Sequence, residues 1–373
     1  MKDRKSIIKY GLTAAIMAFS IMLIGPSQVS AKEVVHDDAD QYRDQKAIQE
    51  AIDNGEDVVL KGEIYLNGYL RIKSGTHIEA TGATIKCRGN MFANADGVDS
   101  FNDFSLNGGT WIRADGADGN PAFEPKHDTQ SAIKLWGGNG IKITNATLKV
   151  SGMGGHNIEL VACKNVTIDN CIIEGQGSSS DKTCEQIQLD MAAPTTAAFV
   201  PSSMYGECCE NVVINKCTVT GNRGVAANIP IKGGNAVKTY SSNYHKKISV
   251  TNCNITSLKT EALLLFNTNG ITVTDNEIIS NAKKSQKYKS FGLHVQTYGS
   301  GKGGFSKGKV VVKNNTIKGG MFGASISGTT GHAKFGKVTF TGNTVFSKGG
   351  IDNAYHIDSY KSLKDKGNKC KKW

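Results

Sequence analysis

GIKITNATL (140–148), NVTIDNCII (165–173), NVVINKCTV (211–219), KISVTNCNI (247–255), GITVTDNEI (270–278), KVVVKNNTI (309–317) and KVTFTGNTV (337–345) repeat one pattern: a short β-branched strand, a polar turn and a return to aliphatic residues. Aligned on their strands, they put Ala146, Cys171, Cys217, Cys253, Asn276, Asn315 and Asn343 in one column. Two residues on comes the aliphatic column Leu148, Ile173, Val219, Ile255, Ile278, Ile317 and Val345. A unit this short cannot bury its own apolar side and must bury it against its neighbours, so the units stack. Period-two alternation in Val, Ile, Thr, Asn and Gly excludes a helical solenoid. The expected fold is all-β: a right-handed single-stranded parallel β-helix.

A second strand precedes each repeat: SAIKLW (131–136), HNIELV (156–161), EQIQLD (185–190), NAVKTY (235–240), EALLLF (261–266), FGLHVQ (291–296), GASISG (323–328) and YHIDSY (355–360). Their shared aliphatic position runs Ile133, Ile158, Ile187, Val237, Leu263, Leu293, Ile326 and Ile357. Side chains alternate across a strand, so flanking residues point outward and stack into ladders. One outward ladder reads Lys134, Glu159, Gln188, Lys238, Leu264, His294, Ser325 and Asp358, and the next Trp136, Val161, Asp190, Tyr240, Phe266, Gln296 and Ser327. Carboxylates, amide and amine groups and flat aromatic faces together compose a saccharide groove.

Glu159 and Asp190 sit one coil apart and two strand positions off register, which puts their Cα atoms about 8 Å apart. That separation permits acid and base or nucleophile roles in glycoside hydrolysis. His156 and Glu185 enter successive strands as stacked neighbours, facing inward or occupying the corner, and are candidates to orient the groove carboxylates. Gln188, Lys238 and Lys134 are expected to bind hydroxyls or an acidic group, Tyr240 and Trp136 to stack on rings, and His294 to contribute farther along. The aliphatic positions are 25 to 33 residues apart except between Ile187 and Val237, where the gap is 50. The surplus, MAAPTTAAFVPSSMYGEC (191–208) and NRGVAANIPIKGGN (222–235), predicts walls around a cleft, with Tyr205, Arg223 and Lys232 reaching substrate.

The first 31 residues combine a basic start, an apolar run from Gly11 to Ile24 and small residues ending at Ala31. They read as a secretory signal peptide, leaving a mature domain over 32–373. Loss of Lys2, Arg4, Lys5 and Lys9 with Asp3 lowers the formal charge from +11 to +8. Scattered Lys with little Arg argues against nucleic acid and for a solvated surface or an acidic polysaccharide or cell wall. The densest basic patch, 361–373, reads first as a disordered tail and second as a wall-binding one. No membrane partner is expected after cleavage, and the protein is expected to be a monomer.

Nine cysteines leave at least one unpaired. Cys171, Cys217 and Cys253 are expected to act as small buried apolar residues, and Cys184 to bridge to Cys208 or Cys209. No cofactor is expected: paired C-x-x-C spacing is absent, and outward acids are too few for an evident calcium cage of about six to eight oxygens. Nothing resembles a nucleotide loop, a Ser-His-Asp motif or a zinc helix motif.

From Asp44 the chain runs DQKAIQEAIDNGEDVVLKGEIYLNGYL, an amphipathic helix (42–54) followed by short strands. Such a helix covers the open end of a stack. The A-I-Q and A-I-D pairs, then Gly68-Tyr69-Leu70, resemble the start of pectin-lyase-like β-helix proteins. EQIQLD resembles an E-A-I-Q-I-D stretch of secreted bacterial β-helix proteins presumed to act on glycans. The resemblance implies this fold, export and a glycan substrate. It carries over no catalytic residue: the paired aspartates and G-H-G turn of polygalacturonases and the aspartate cluster and R-x-P-x-x-R of pectate lyases are missing, and Arg71-Ile72-Lys73 matches one fragment in the wrong coil. The leading expectation is glycoside hydrolysis. The alternatives are uronate β-elimination, with Lys238, His294 or Tyr240 as base and Arg223 on the carboxylate, and a glycan-binding β-helix without turnover.

Overall fold

The computed structural model describes residues 31–36, 43–87, 90–113, 131–150, 156–175, 185–194, 200–229, 243–283, 285, 290–297, 308–328 and 334–373. The signal segment, apart from Ala31, lies outside the described residues, as do Cys184, Lys232, Lys238 and Tyr240. Among the described residues no helix is long and apolar enough to cross a membrane.

Three parallel sheets of twelve, ten and eleven strands run the length of the molecule, and successive coils add one strand to each. The chain is the right-handed parallel β-helix that the repeats predict. In the twelve-stranded sheet Ile141, Val166, Val212, Ile248, Ile271, Val310 and Val338 stack in register. In the eleven-stranded sheet Leu148, Ile173, Val219, Ile255, Ile278, Ile317 and Val345 do the same, and all seven are fully buried. Between these strands each coil turns through one left-handed residue: Asn145, Asn170, Lys216, Asn252, Asp275 and Asn314 have φ between 51° and 60°, and Gly342 has φ 69°. Asn, Asp and Gly recur there because they tolerate this conformation.

The residue after each turn points inward, where compact groups must stack at coil spacing. Cys171, Cys217 and Cys253 do so at 1 % exposure. Hydrogen bonding to Cys217, then burial, pushes the Cys171 and Cys253 thiols up. Farther along, asparagines replace them. Asn276 Nδ2 donates to Asn315 Oδ1 at 2.9 Å, Asn315 to Asn343 at 3.0 Å, and Asn343 to Asn368 at 3.0 Å. Each also donates to a strand carbonyl of the preceding coil and accepts a backbone N–H from that coil. Removing the Asn315 side chain strands two buried donors, Asn276 N and Nδ2, and takes a donor from Val273 O and Asn343 Oδ1, so Asn315→Ala is expected to cost about 3 kcal/mol in urea unfolding.

The helix Arg43–Asn54 buries Ile48, Ala51 and Ile52 on the N-terminal end of the stack. Its amides also satisfy the open edge of the ten-stranded sheet. Gln49 accepts from Arg71 N at 2.8 Å and donates to Arg71 O at 3.0 Å, while Gln45 accepts from Asn67 N and Gly68 N. Unpaired strand groups here would otherwise template aggregation.

The C-terminal residues correct an expectation. Tyr360–Lys366 and Lys369–Lys372 pair with Phe335–Thr341 and Thr344–Ser347, so 361–373 is the last coil and not a loose tail. Tyr360, Leu363 and Cys370 pack on the core end, which the lysine-dominated composition masks in sequence. Lys361, Lys364, Lys366, Lys369, Lys371 and Lys372 on these strands are exposed. The cysteines give a second correction. Cys208 and Cys209 carry free thiols, so neither is bridged. Cys209 is turned into the core, its Sγ at 3.4 Å from Leu160 O and 3.6 Å from Asp190 O.

Candidate functional site

The ten-stranded sheet presents the outward ladders, and its register decides which residues meet. Ile133, Ile158 and Ile187 stack as expected, but the next strand is Arg223–Asn228, whose Val225 pairs with Ile187 and Leu263. Ala226 and Asn228 therefore take the ladder places expected for Lys238 and Tyr240. The aliphatic NAVKTY fits the strand pattern better than RGVAAN, and the surplus sequence is shared between the stretches before and after the strand, with 38 residues from Ile187 to Val225 and 38 from Val225 to Leu263. A two-residue slip also corrects the last coils: Ala324 and Tyr355, not Ile326 and Ile357, continue the inward row. His356 thus stands in the ladder place expected for Asp358.

Around Ile187 the expected ladder holds. Lys134, Glu159 and Gln188 are in register, and Asp190 lies beside Val161. Ser131 Oγ donates to Glu159 Oε2 at 2.5 Å, Lys134 Nζ lies 3.9 Å from the same oxygen, and Gln188 Nε2 donates to Asp190 Oδ1 at 2.6 Å. These groups are not solvated. Glu159 and Asp190 are each 4 % exposed, and Gln188 and Glu185 5 %.

His156 and Glu185 line the same face. Asn157 and Gln186 turn inward at the corner, where Asn157 Nδ2 donates to Gln186 Oε1 at 2.6 Å. A Cβ at Gly175 or Gly221 would strike the Gln186 amide. This extra inward residue resets the alternation, so the residue before it faces the groove side. The outcome is a charge ladder crossing five coils. His156 Nδ1 lies 3.5 Å from Glu185 Oε2, Arg223 Nη1 donates to Glu185 Oε1 at 2.5 Å and Arg223 Nη2 to Glu261 Oε2 at 2.9 Å, and His294 Nδ1 lies 3.6 Å from Glu261 Oε1. Burial opposes the charge of Arg223, but the two glutamates outweigh it and hold the guanidinium above its ordinary value. Burial likewise raises Glu261, but hydrogen bonding to His294 and the Arg223 charge outweigh it and hold the carboxyl below its ordinary value.

Asp190 behaves oppositely. Burial first, then the charges of Glu159 and Glu185, push its pKa well above the ordinary carboxylate value, against the hydrogen bond from Gln188 and the charge of Lys134. Apolar clusters flank it. On one side Val161, Ala162, Ala192, Val200 and Met204 pack with Trp136; on the other Met191 and Ala193 pack with Ala226, Leu264 and Phe266. The described part of the insertion 191–208 thus lies over the sheet face and keeps the surroundings of Asp190 poorly polarisable. Trp136 is half-buried against this cover, and Tyr205 stands exposed.

Two functional-looking groups escaped the sequence reading. Glu261 stands two residues before Leu263, as Glu185 does before Ile187, a signal visible in TEALLLF. His245 is buried and pushed down to about 4 by burial; its Nδ1 accepts from Cys209 N, leaving Nε2 to donate to Asn228 O. It anchors the end of strand Arg223–Asn228.

Neither a protein-family model nor a curated protein sequence matches the chain. Solved structures do. PfbA, a surface adhesin of Streptococcus pneumoniae, aligns over 88 % of this chain and 95 % of its own with TM-score 0.59 and 16 % identity. A polygalacturonase from Erwinia carotovora ssp. carotovora aligns over 94 % and 99 % with TM-score 0.54 and 12 % identity. The chain has the pectin-lyase-like parallel β-helix fold. At these identities the likeness is one of fold, so any role of this β-helix must be argued from its own groups: Asp190 with its raised pKa, Glu159 one coil away, and a charge ladder beside them.

Proposed function

We propose that this chain is an exported carbohydrate-active enzyme that hydrolyses a glycosidic bond, with Asp190 as general acid and Glu159 as base or nucleophile. The carrying observation is Asp190, whose burial and acidic neighbours favour its protonated form, set beside a second carboxylate held by Ser131 and Lys134. Two carboxyl groups with different environments are the usual basis for acid and base assignments. Gln188 fixes Asp190 Oδ1 by donating to it, which leaves Oδ2 to carry the proton toward a leaving-group oxygen. Glu185, in the charge ladder, adds its charge to the upward shift of Asp190. The polygalacturonase among the fold neighbours supports a glycan as substrate.

Elimination is less well supported. Arg223, the cation expected to neutralise a uronate, is occupied by Glu185 and Glu261. A binding protein without turnover is the second reading, favoured by the closure of the carboxylates from solvent and by the adhesin among the fold neighbours.

The test is a screen of the mature protein against plant, algal, host and bacterial-wall glycans, reading reducing ends and ultraviolet absorbance, with Asp190→Asn as control. Hydrolysis gives reducing ends without absorbance, lost in the variant. Absorbance would mean elimination. Retention of a glycan by both proteins with no new ends would leave binding alone.

A further inference from the structure

The outward ladder that carries Glu159 does not begin there. Its register runs Arg71, Ala93, Lys134, Glu159, so Arg71 stands three coils toward the N-terminus on the same sheet face. At about 4.8 Å per coil this is about 14 Å from Glu159. Around Arg71 the cap helix and the sheet edge enclose a cleft of about 440 Å³, lined by Gln45, Lys46, Gln49, Glu50, Gly68 and Tyr69. Its floor is rigid, because Gln45 and Gln49 are tied to the backbone of residues 67 to 71. Tyr69 is 40 % exposed, among the few large apolar side chains open to solvent. Around it stand paired charges: Lys46 with Glu50 at 3.8 Å and Arg71 with Asp96 at 3.4 Å.

We infer that this cleft is a distal subsite for the same glycan chain, with a sugar ring stacked on Tyr69 and its hydroxyls bonded by Arg71, Glu50 and Lys46. An aromatic face ringed by charged hydrogen-bonding groups suits a pyranose, whose faces are apolar and whose rim is polar. Alignment with Glu159 supplies the occupant: a polymer lying along the helix axis reaches both places, and a disaccharide reaches one. The inference rests on the catalytic reading, which puts the cleavage point at Glu159 and Asp190.

The experiment uses the mature chain on an array of disaccharides and octasaccharides of glucans, galactans, chitin and polygalacturonate, with Tyr69→Ala and Asp190→Asn in parallel. Wild type is expected to hold one octasaccharide roughly tenfold tighter than its disaccharide, and Tyr69→Ala to erase that difference while leaving the disaccharide unchanged. Equal loss for both lengths, unaltered octasaccharide binding, or no retention of any glycan overturns the subsite. Asp190→Asn separates the two claims. If that variant cleaves the octasaccharide at the wild-type rate while Tyr69→Ala loses only the long-chain advantage, the catalytic assignment falls and the cleft stands.

Discussion

Asp190→Asn is expected to lower turnover about a thousandfold while making the protein more stable at neutral and alkaline pH. The rate loss follows from removing the proton donor, whose contribution in general acid catalysis spans about 10²–10⁴. The amide keeps the shape, and its Oδ1 still accepts from Gln188. The stability gain follows from the sign of the shift. The folded-state pKa of Asp190 is raised above the unfolded value near 3.9, so the native state holds this proton more tightly than the unfolded chain. That contribution is fully present below the unfolded value and is lost as pH rises through the folded one. Asparagine has no proton to lose. Urea midpoints across pH should therefore fall for wild type over this window and fall less for the variant. The activity of wild type should decline on the alkaline side as Asp190 ionises. Turnover equal to wild type in the variant would remove Asp190 from the chemistry.

Arg223→Met is expected to destabilise the fold by about 3–5 kcal/mol, because it leaves Glu185 and Glu261 as buried carboxylates facing no cation between them. Arg223→Lys should recover little. The two acceptors lie on the coils before and after, and one guanidinium spans them with separate nitrogens where a single ammonium cannot. Adding Glu185→Gln and Glu261→Gln to Arg223→Met should restore most of the loss, since the cost lies in stranded charge rather than in missing attraction. Glu261 adds a pH signature of opposite sign to Asp190. Its folded pKa is lowered, so its contribution is present above the unfolded value and disappears as pH falls through the folded one. Urea unfolding of the series, with acid and neutral arms, measures both effects. A single loss below about 1 kcal/mol for Arg223→Met would place the ladder among weakly contributing surface pairs.

The repeat made the fold legible because stacking demands the same residue class at the same place in every coil: one aliphatic column and one compact inward column suffice. Glu159, Gln188 and Asp190 were legible for the same reason, lying on strands whose aliphatic positions Ile158 and Ile187 stack in register. The coil of Val225 was not. Its strand, RGVAAN, has a single β-branched residue among small ones, and the sequence after it offers a better-looking strand in NAVKTY. Corner geometry also lies below the resolution of alternation: Asn157 and Gln186 each add one inward residue, which reverses the facing of His156 and Glu185 without altering any hydrophobic pattern. Burial of Asp190 was invisible because its cover comes from Met191, Ala193 and Ala226, small or flexible residues with no periodic signature.

The most direct test of the central claim is the titration of Asp190 itself, by carbon NMR of protein labelled at the aspartate carboxyls, with Asp190→Asn identifying its resonance by absence. One carboxyl resonance, missing from the variant, is expected to titrate well above the ordinary value near 3.9 and to move down when Glu159 is replaced by Gln. A resonance titrating at the ordinary value and indifferent to Glu159→Gln would contradict the claim.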